Sequence, residues 1–479
     1  MCKLILHKMI INQIYTGCLA HAAYYIESNG EVAIFDPLRE VAPYLEKAKN
    51  DNAKIKYIFE THFHADFVSG HIDLAKKANA LIVYGPTAKP NFAAIIAEDN
   101  QVFEVGSCKI KVIHTPGHTL ESTCYLLIDE NNQEKGLITG DTLFIGDVGR
   151  PDLAQHVIAD LTEEILAGHL YDSLRNKIMP LSDDLVIYPN HGAGSACGKM
   201  MSKETVDTLG NQKKFNYALR PNMTKEEFIK EVLTGLTTPP AYFPKNVLLN
   251  INGYESIDEI IKRGMQPLTI SAFELLSKQD DVLVLDTRNA NDYSEGSVPL
   301  SINIGLDSNF AMWVGDLISD INQKIIIVTD KGREEETIIR LARVGYDKTI
   351  GFLDGGFSIW KNSGHEFDVI NRITAQEFEQ IYKTKNTLVI DVRKASEFES
   401  SHVIGALNIP LVKINNHLAE FPKDKPFILH CAGGYRSMVA ASILKQRGWN
   451  NFVDVIGGFT EISKTSVPKT NYIAPVTLL

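Results

Sequence analysis

Cysteine is scarce in this chain, six residues in 479, and no two of them form a CxxC pair. A chain this long has core enough without disulfide staples, so Cys2, Cys18, Cys108, Cys124, Cys197 and Cys431 predict free thiols in a reducing cytoplasm. An apolar run long enough for a membrane span is also missing. The opening MCKLILHKMIINQIYTGC is interrupted by Lys3 and Lys8 and has no small-residue cleavage site, which predicts neither export nor anchoring. Residues before Met9 read as an upstream extension, with a later start as the alternative. A basic excess is absent too. The net charge is -11 and the pI about 5.7, with Lys and Arg scattered, so nothing tracks a nucleic-acid backbone. No tract is of low complexity, and 44% hydrophobic with 22% charged residues describes an ordinary folded protein.

The length predicts about three domains. Through about residue 200, short apolar runs end in polar or metal-capable residues: EVAIFDP, KIKYIFETHFHAD, KIKVIHTPGHT, GLITGDTLF and DLVIYPNHG. This is an α/β layout whose strands deliver chemistry at their ends. Residues 203–265 turn helical and charged (NMTKEEFIKEVLTGL), are broken by Pro239, Pro240 and Pro244, and read as a linker or appendage. From Thr269 one unit is written twice. Helices ISAFELL and ITAQEFEQIY are followed by buried strands VLVLDTR and TLVIDVR, then by IIIVTDKGREEE and FILHCAGGYRSM. The interval from Arg333 to Gly345 equals that from Arg436 to Gly448. The repeat predicts two α/β domains of about a hundred residues with mostly parallel sheets.

Ligand-type side chains cluster in the first part. Period-two alternation would aim His62 and His64 together at a strand end, while His118 (TPGHT), Asp141 (TGDT) and His191 (YPNHG) each follow a strand. One such histidine alone is more often structural than a ligand. The joint order HxHxD, PGHT, GDT, NH resembles the metallo-β-lactamase superfamily over about residues 10–200, which implies an αββα sandwich. Hydrolytic members such as glyoxalase II carry HxHxDH, whose last Asp-His pair completes a second metal position. Here the final residue is Phe67, which cannot coordinate, so one metal is the simpler expectation.

The site also resembles that of persulfide dioxygenases. That resemblance implies one Fe(II) per chain, held by His62, His118 and Asp141, with three positions open to a substrate sulfur and dioxygen. His64, Asp66 and His191 would then orient ligands or contact substrate, or equally would be loop-stabilising remnants of a second site. Cys197 lies in the glycine-rich HGAGSACGK. Either it meets substrate or, as is commoner, it is a small buried cysteine.

A second chemistry stands near the C-terminus. Cys431 and the loop Ala432, Gly433, Gly434 and Tyr435 lie between the strand PFILH and the helical MVAASILKQRG. A helix N-terminus stabilises a thiolate there, and Arg436 adds a fixed charge and a fork for an oxyanion or sulfur anion. Cysteine phosphatases of similar fold have a longer loop, and the tighter one suits sulfur better than phosphate. IDVRKASEFESSHVIGALNIP, with Asp391, Arg393, Glu397 and His402, resembles the rhodanese signature, as does the trailing Gly457-Gly458-Phe459. By that resemblance these flanking residues are scaffold. The first copy keeps Asp286, Arg288, Gly332, Arg333 and Gly355-Gly356, yet its loop, Val328 to Arg333, has no cysteine and so forms no persulfide. Glu334, Glu335 and Glu336 would repel an anionic donor, which predicts a structural or docking role.

The expected organisation is α/β throughout: a metallo-β-lactamase sandwich over residues 1–240, a linker over 241–266, a cysteine-free rhodanese-like domain over 267–366 and a complete rhodanese over 371–479. The whole resembles persulfide dioxygenase–rhodanese fusions. The implied activity is oxidation of a small-thiol persulfide (glutathione, coenzyme A or another thiol) by dioxygen to sulfite, with Cys431 exchanging sulfane sulfur between persulfide, sulfite and thiosulfate. Fusion would raise the effective concentration of the shared intermediates. A glyoxalase II-like dinuclear zinc thioester hydrolase carrying a sulfur-transfer module is the alternative, and a degenerate docking protein the third reading. A cytoplasmic homo-oligomer without nucleic-acid or membrane partners is expected.

Overall fold

The computed structural model describes residues 8–153, 161–307, 309–384 and 387–471. Most of the expected upstream extension, residues 1–7, lies outside the described residues. The chain divides into two compact units: residues 1–259 with 339–346, and residues 260–338 with 347–479. Among the described residues no helix is long and apolar enough to cross a membrane.

The first unit is built on two six-stranded sheets. One runs Ile10–Thr16, His21–Ser28, Glu31–Phe35, Lys54–Phe59, Leu81–Tyr84, Ile95–Ile96. The other runs Asp207–Thr208, Val186–Pro189, Glu134–Gly140, Thr123–Ile128, Cys108–His114, Val102–Val105. Alternation along each strand sorts side chains to two covered faces. Tyr24, Phe35 and Phe59 meet Phe103, Val112, Tyr125 and Leu127 in the core between the sheets. On the outer face of the first sheet Tyr25, Val32 and Ile34 pack with Tyr44 and Leu74 of helices Ala42–Asn50 and His71–Ala78. On the other outer face Cys124, Leu126 and Leu137 pack with Leu170 and Phe228 of helices Glu163–Ser173 and Lys225–Leu233. The layers are therefore αββα. The last helix starts at a capping box: Thr224 accepts from the Glu227 N–H while the Glu227 carboxylate accepts from the Thr224 N–H.

Residues 243–252, inside the segment expected as a linker, form a helix. Its Asn250 is buried because its amide satisfies a loop backbone, donating to the His64 and Phe67 carbonyls and accepting from the Ser69 N–H, at 2.8–2.9 Å. Sequence spacing carries no signal for so distant a buttress.

The second unit holds the repeat as two five-stranded sheets of the same order, every pair parallel. The first runs Pro267–Leu268, Thr349–Leu353, Lys324–Val328, Val282–Asp286, Ile302–Asn303. The second runs Arg372–Ile373, Phe452–Val455, Phe427–His430, Leu388–Asp391, Leu407–Asn408. The duplication extends to side chains. Arg288 clamps buried Asp286 as Arg393 clamps Asp391, and each guanidinium lies over a phenylalanine, Phe357 or Phe459. Asn303 Nδ2 donates to the carbonyls of Asp286 and Arg288, as Asn408 Nδ2 does to those of Asp391 and Arg393.

Candidate metal centre and sulfur-transfer site

The strand predicted to carry His62 and His64 ends at Phe59, and residues 60–68 run as loop. The two rings stay close, 4.2 Å between centres, but their Nε2 atoms face different carboxylates. His62 Nε2 lies 3.9 Å from Asp141 Oδ2, and His118 Nε2 lies 3.5 Å from the same oxygen. The opposite ring nitrogens are tied down. His118 Nδ1 donates to the Arg150 carbonyl at 2.8 Å, which leaves the lone pair of the neutral ring on Nε2. His62 Nδ1 is 2.9 Å from Thr61 Oγ1, whose hydroxyl reaches Asp36 Oδ1. Burial, with His64 and His118 beside it, holds His62 well below the usual histidine range and therefore neutral. Gly149 permits the closest approach in the shell. A Cβ there would stand 2.0 Å from the Asp141 carbonyl oxygen and 3.0 Å from His118 Nδ1.

His62, His118 and Asp141 thus offer three ligand atoms within 4.8 Å of one another, all on buried residues. Among the described residues neither carboxylate oxygen of Asp141 has a nitrogen or oxygen donor within hydrogen-bond geometry. A buried, unpaired carboxylate is costly. Two imidazole Nε2 atoms aimed at it fit a divalent cation, which removes that cost.

His64 faces away. Its Nε2 donates to Asp36 Oδ1 at 2.9 Å and lies 3.5 Å from Glu60 Oε2. Burial alone would lower its pKa, but the charge and hydrogen bond of Asp36, with Glu60 and Asp66 adding, lift it to about 9. While protonated it has no lone pair for a metal. Asp36, Glu60 and Thr61 were not singled out from sequence, although Asp36 is the acidic end of EVAIFDP.

Asp66, His191 and Cys197 form a second group, also within 4.8 Å of one another. His191 Nδ1 donates to the Ala20 carbonyl, and its Nε2 lies 3.5 Å from Asp66 Oδ2 and 3.6 Å from Asp141 Oδ1. Phe67 is fully buried and inserts its ring against His21 and His64, with centres 4.3 and 4.4 Å apart. Burial, with Asp66 and Asp141 reinforcing it, pushes the Cys197 thiol well above its usual range, so it stays protonated unless a cation is nearby.

Asn250→Ala should cost about 3 kcal/mol, because three buried backbone groups of the His64–Ser69 loop lose their partner at once. The check is the melting temperature, read with metal retention after dialysis; an unchanged value of both would show that the loop holds itself.

In the second unit Cys431 follows the strand Phe427–His430 and is buried, and its Sγ accepts from the Gly434 N–H at 3.1 Å at the start of helix Tyr435–Gln446. The cradle expected from sequence is present. Gly458 seals it from behind: its φ is +54°, and a Cβ would stand 2.3 Å from the Cys431 carbonyl oxygen. Arg436, expected to offer its fork to an oxyanion, is already paired. Its fork is taken by Glu397, at 2.5 and 2.8 Å, because that carboxylate lies within reach and binds it bidentately. His402 stacks on Phe398, and its ring donates to the Phe398 carbonyl, as scaffold would.

In the other copy strand register aligns Val328 with His430, each opposite the first Asp of its Asp-x-Arg. Thr329, not Val328, therefore stands where Cys431 does. Arg333 is held by Asp307 and Glu336, and Glu334 accepts from the Gly332 N–H, so two of the three glutamates brace their own loop.

The rhodanese-like domain profile matches residues 269–363 and 374–465, and the metallo-beta-lactamase superfamily profile matches residues 16–191. A probable hydroxyacylglutathione hydrolase of Schizosaccharomyces pombe is 28% identical over 250 residues, 47% of this chain and 91% of that protein. A crystal structure of ETHE1 from Myxococcus xanthus is 24% identical, covering 50% of this chain and 98% of that one with a TM-score of 0.43, a likeness too loose to carry a function. The crystal structure of a metallo-beta-lactamase from Staphylococcus aureus is 31% identical, covers 72% of this chain and 98% of that one, and superposes with a TM-score of 0.63. The chain belongs to the metallo-beta-lactamase superfamily, with two rhodanese-like domains following its metallo-beta-lactamase fold.

Proposed function

We propose that the first unit oxidises a small-thiol persulfide and that Cys431 exchanges the sulfane sulfur of the same pool. Overall, persulfide, dioxygen and water give thiol, sulfite and two protons. The observation that carries this reading is Phe67, which puts a buried ring where a dinuclear hydrolase needs an imidazole, beside the cluster of two imidazoles and a carboxylate. Held by His62, His118 and Asp141, one Fe(II) would supply redox chemistry and open positions for sulfur and dioxygen. The chain's own part is orientation. The Arg150 carbonyl and Thr61 fix the ring tautomers, and His191, 3.5 Å from Asp66, lines the space beside the centre. Cys197, grouped with His191 and Asp66, would be the thiol nearest a substrate bound there. At the second site the Gly434 N–H, just before the helix start, holds the Cys431 sulfur that would carry the sulfane sulfur.

A second reading, thioester hydrolysis at two metals, draws on the Asp66, His191, Cys197 group and on the hydroxyacylglutathione hydrolase relative. Metal content after purification without added metal, followed by oxygen uptake on glutathione persulfide, separates them. About one iron per chain with persulfide-dependent uptake supports the dioxygenase; zinc at about two per chain with thioester turnover and no uptake replaces it with the hydrolase.

A further inference from the structure

Arg436, whose fork would receive an oxyanion, spends it on Glu397. A sulfur-transfer site that handles sulfite and thiosulfate still needs a cation for them. One stands across the loop. Arg372, on the short first strand of the cysteine-bearing copy, lines a cavity of about 430 Å³ with Gly433, Gly434 and Tyr435 of the Cys431 loop and with Asn289 and Asn291 of the cysteine-free copy. Its Nε binds the buried carboxylate of Asp454 at 3.0 Å, and its Nη1 donates to Asn291 Oδ1 at 2.6 Å. Its Nη2 lies 3.5 Å from where a Gly434 Cβ would be, beside the residue whose N–H holds the Cys431 sulfur. A Cβ on Gly433 would meet nothing within 4 Å, so the loop is open on this side. Asp292, the carboxylate in the wall, accepts from Asn289 Nδ2.

We propose that Arg372, oriented by Asn291 of the cysteine-free copy, is the anion-binding residue of the Cys431 site and takes the oxygens of sulfite or of the sulfonate end of thiosulfate. This rests on the reading of Cys431 as a sulfur carrier. In the transfer, the sulfite sulfur lone pair forms a bond to the outer sulfur of the Cys431 persulfide. The bond between the two persulfide sulfurs breaks, and its electron pair returns to Cys431 as thiolate. With the persulfide as its anion, sulfite leaves as thiosulfate and no proton moves, and the reverse direction loads the cysteine from thiosulfate. Arg372 touches the anion and not the cysteine. The cysteine-free copy thereby has a task that needs no thiol: it holds the guanidinium from the side opposite Asp454.

The test uses the full chain and two readouts. Alkylation of Cys431, followed by peptide mass analysis, is timed with iodoacetate and with uncharged iodoacetamide; thiosulfate:cyanide transfer gives KM and kcat. Arg372→Met should lower the iodoacetate-to-iodoacetamide rate ratio ~10-fold and raise the thiosulfate KM ~10-fold, with kcat changed less than about threefold. Asn291→Ala, which leaves the Arg372–Asp454 pair intact and so preserves the fold, should shift both the same way by a smaller factor. An unchanged ratio and KM in folded Arg372→Met, or in folded Asn291→Ala and Arg372→Lys together, would overturn the assignment. If the wild-type chain transfers no sulfur from thiosulfate, the carrier reading of Cys431 falls, and the alkylation ratio still decides whether Arg372 draws anions to it.

Discussion

Asp141→Asn should strip the first unit of its metal while sulfur transfer at Cys431 continues. Both oxygens of Asp141 are buried with no nitrogen or oxygen donor among the described residues, and two imidazole Nε2 atoms face one of them. The side chain is therefore paired only when a cation is present. Loss of partners that merely orient a ligand costs 10–100-fold in affinity, so loss of the charged ligand itself should exceed ~100-fold. Elemental analysis and persulfide-dependent oxygen uptake should both fall to background. Removing an uncompensated buried charge should leave the melting temperature of the metal-free protein unchanged or higher, and only the metal-dependent increment should vanish. Retention of wild-type metal in Asp141→Asn would reject the ligand assignment.

Cys431→Ser should do the reverse. Serine keeps the size of the side chain and an acceptor for the Gly434 N–H, so the loop should persist. A hydroxyl is not ionised in this cradle and forms no persulfide, so thiosulfate:cyanide transfer should drop more than ~1000-fold. Metal content and oxygen uptake should stay at wild-type values. If either substitution abolished both activities, the division of labour between the two units would be wrong.

The contrast between these sites and their surroundings separates what was legible from what was not. His62, His118, Asp141 and Cys431 follow strands, and loops after strands place ligand-type side chains at one end of a sheet. Such residues stand out because a short apolar run ends on them. The duplication was equally plain, since a repeated order of helix, buried strand and loop is a property of the chain. His64 was harder. Alternation predicted a common direction with His62, but the strand stops at Phe59, and in the loop that follows a carboxylate 28 residues upstream decides where the ring points.

Other roles depended on partners that no local pattern names. The fork of Arg436 reads as free in CAGGYRS, and Glu397 takes it. Residues 241–266 read as a linker by charge and proline content, yet Asn250 satisfies the backbone of a loop more than 180 residues away. Arg372 has no motif, and its relation to the Cys431 loop exists because two repeats share one cavity.

The sequence alone determined the α/β character, the duplication, the missing thiol of the first copy and the residue types able to hold a metal or carry sulfur, while the layering followed from the family resemblance. Periodicity, strand-end chemistry and turn residues are encoded within a few positions of one another. The tertiary structure decided which nitrogen each histidine presents, which carboxylates find no donor among the described residues and which arginine lies across the cysteine loop. Those depend on the contest among buried donors and acceptors from distant segments, and in a low-dielectric interior every such group must find a partner or bear the cost of having none.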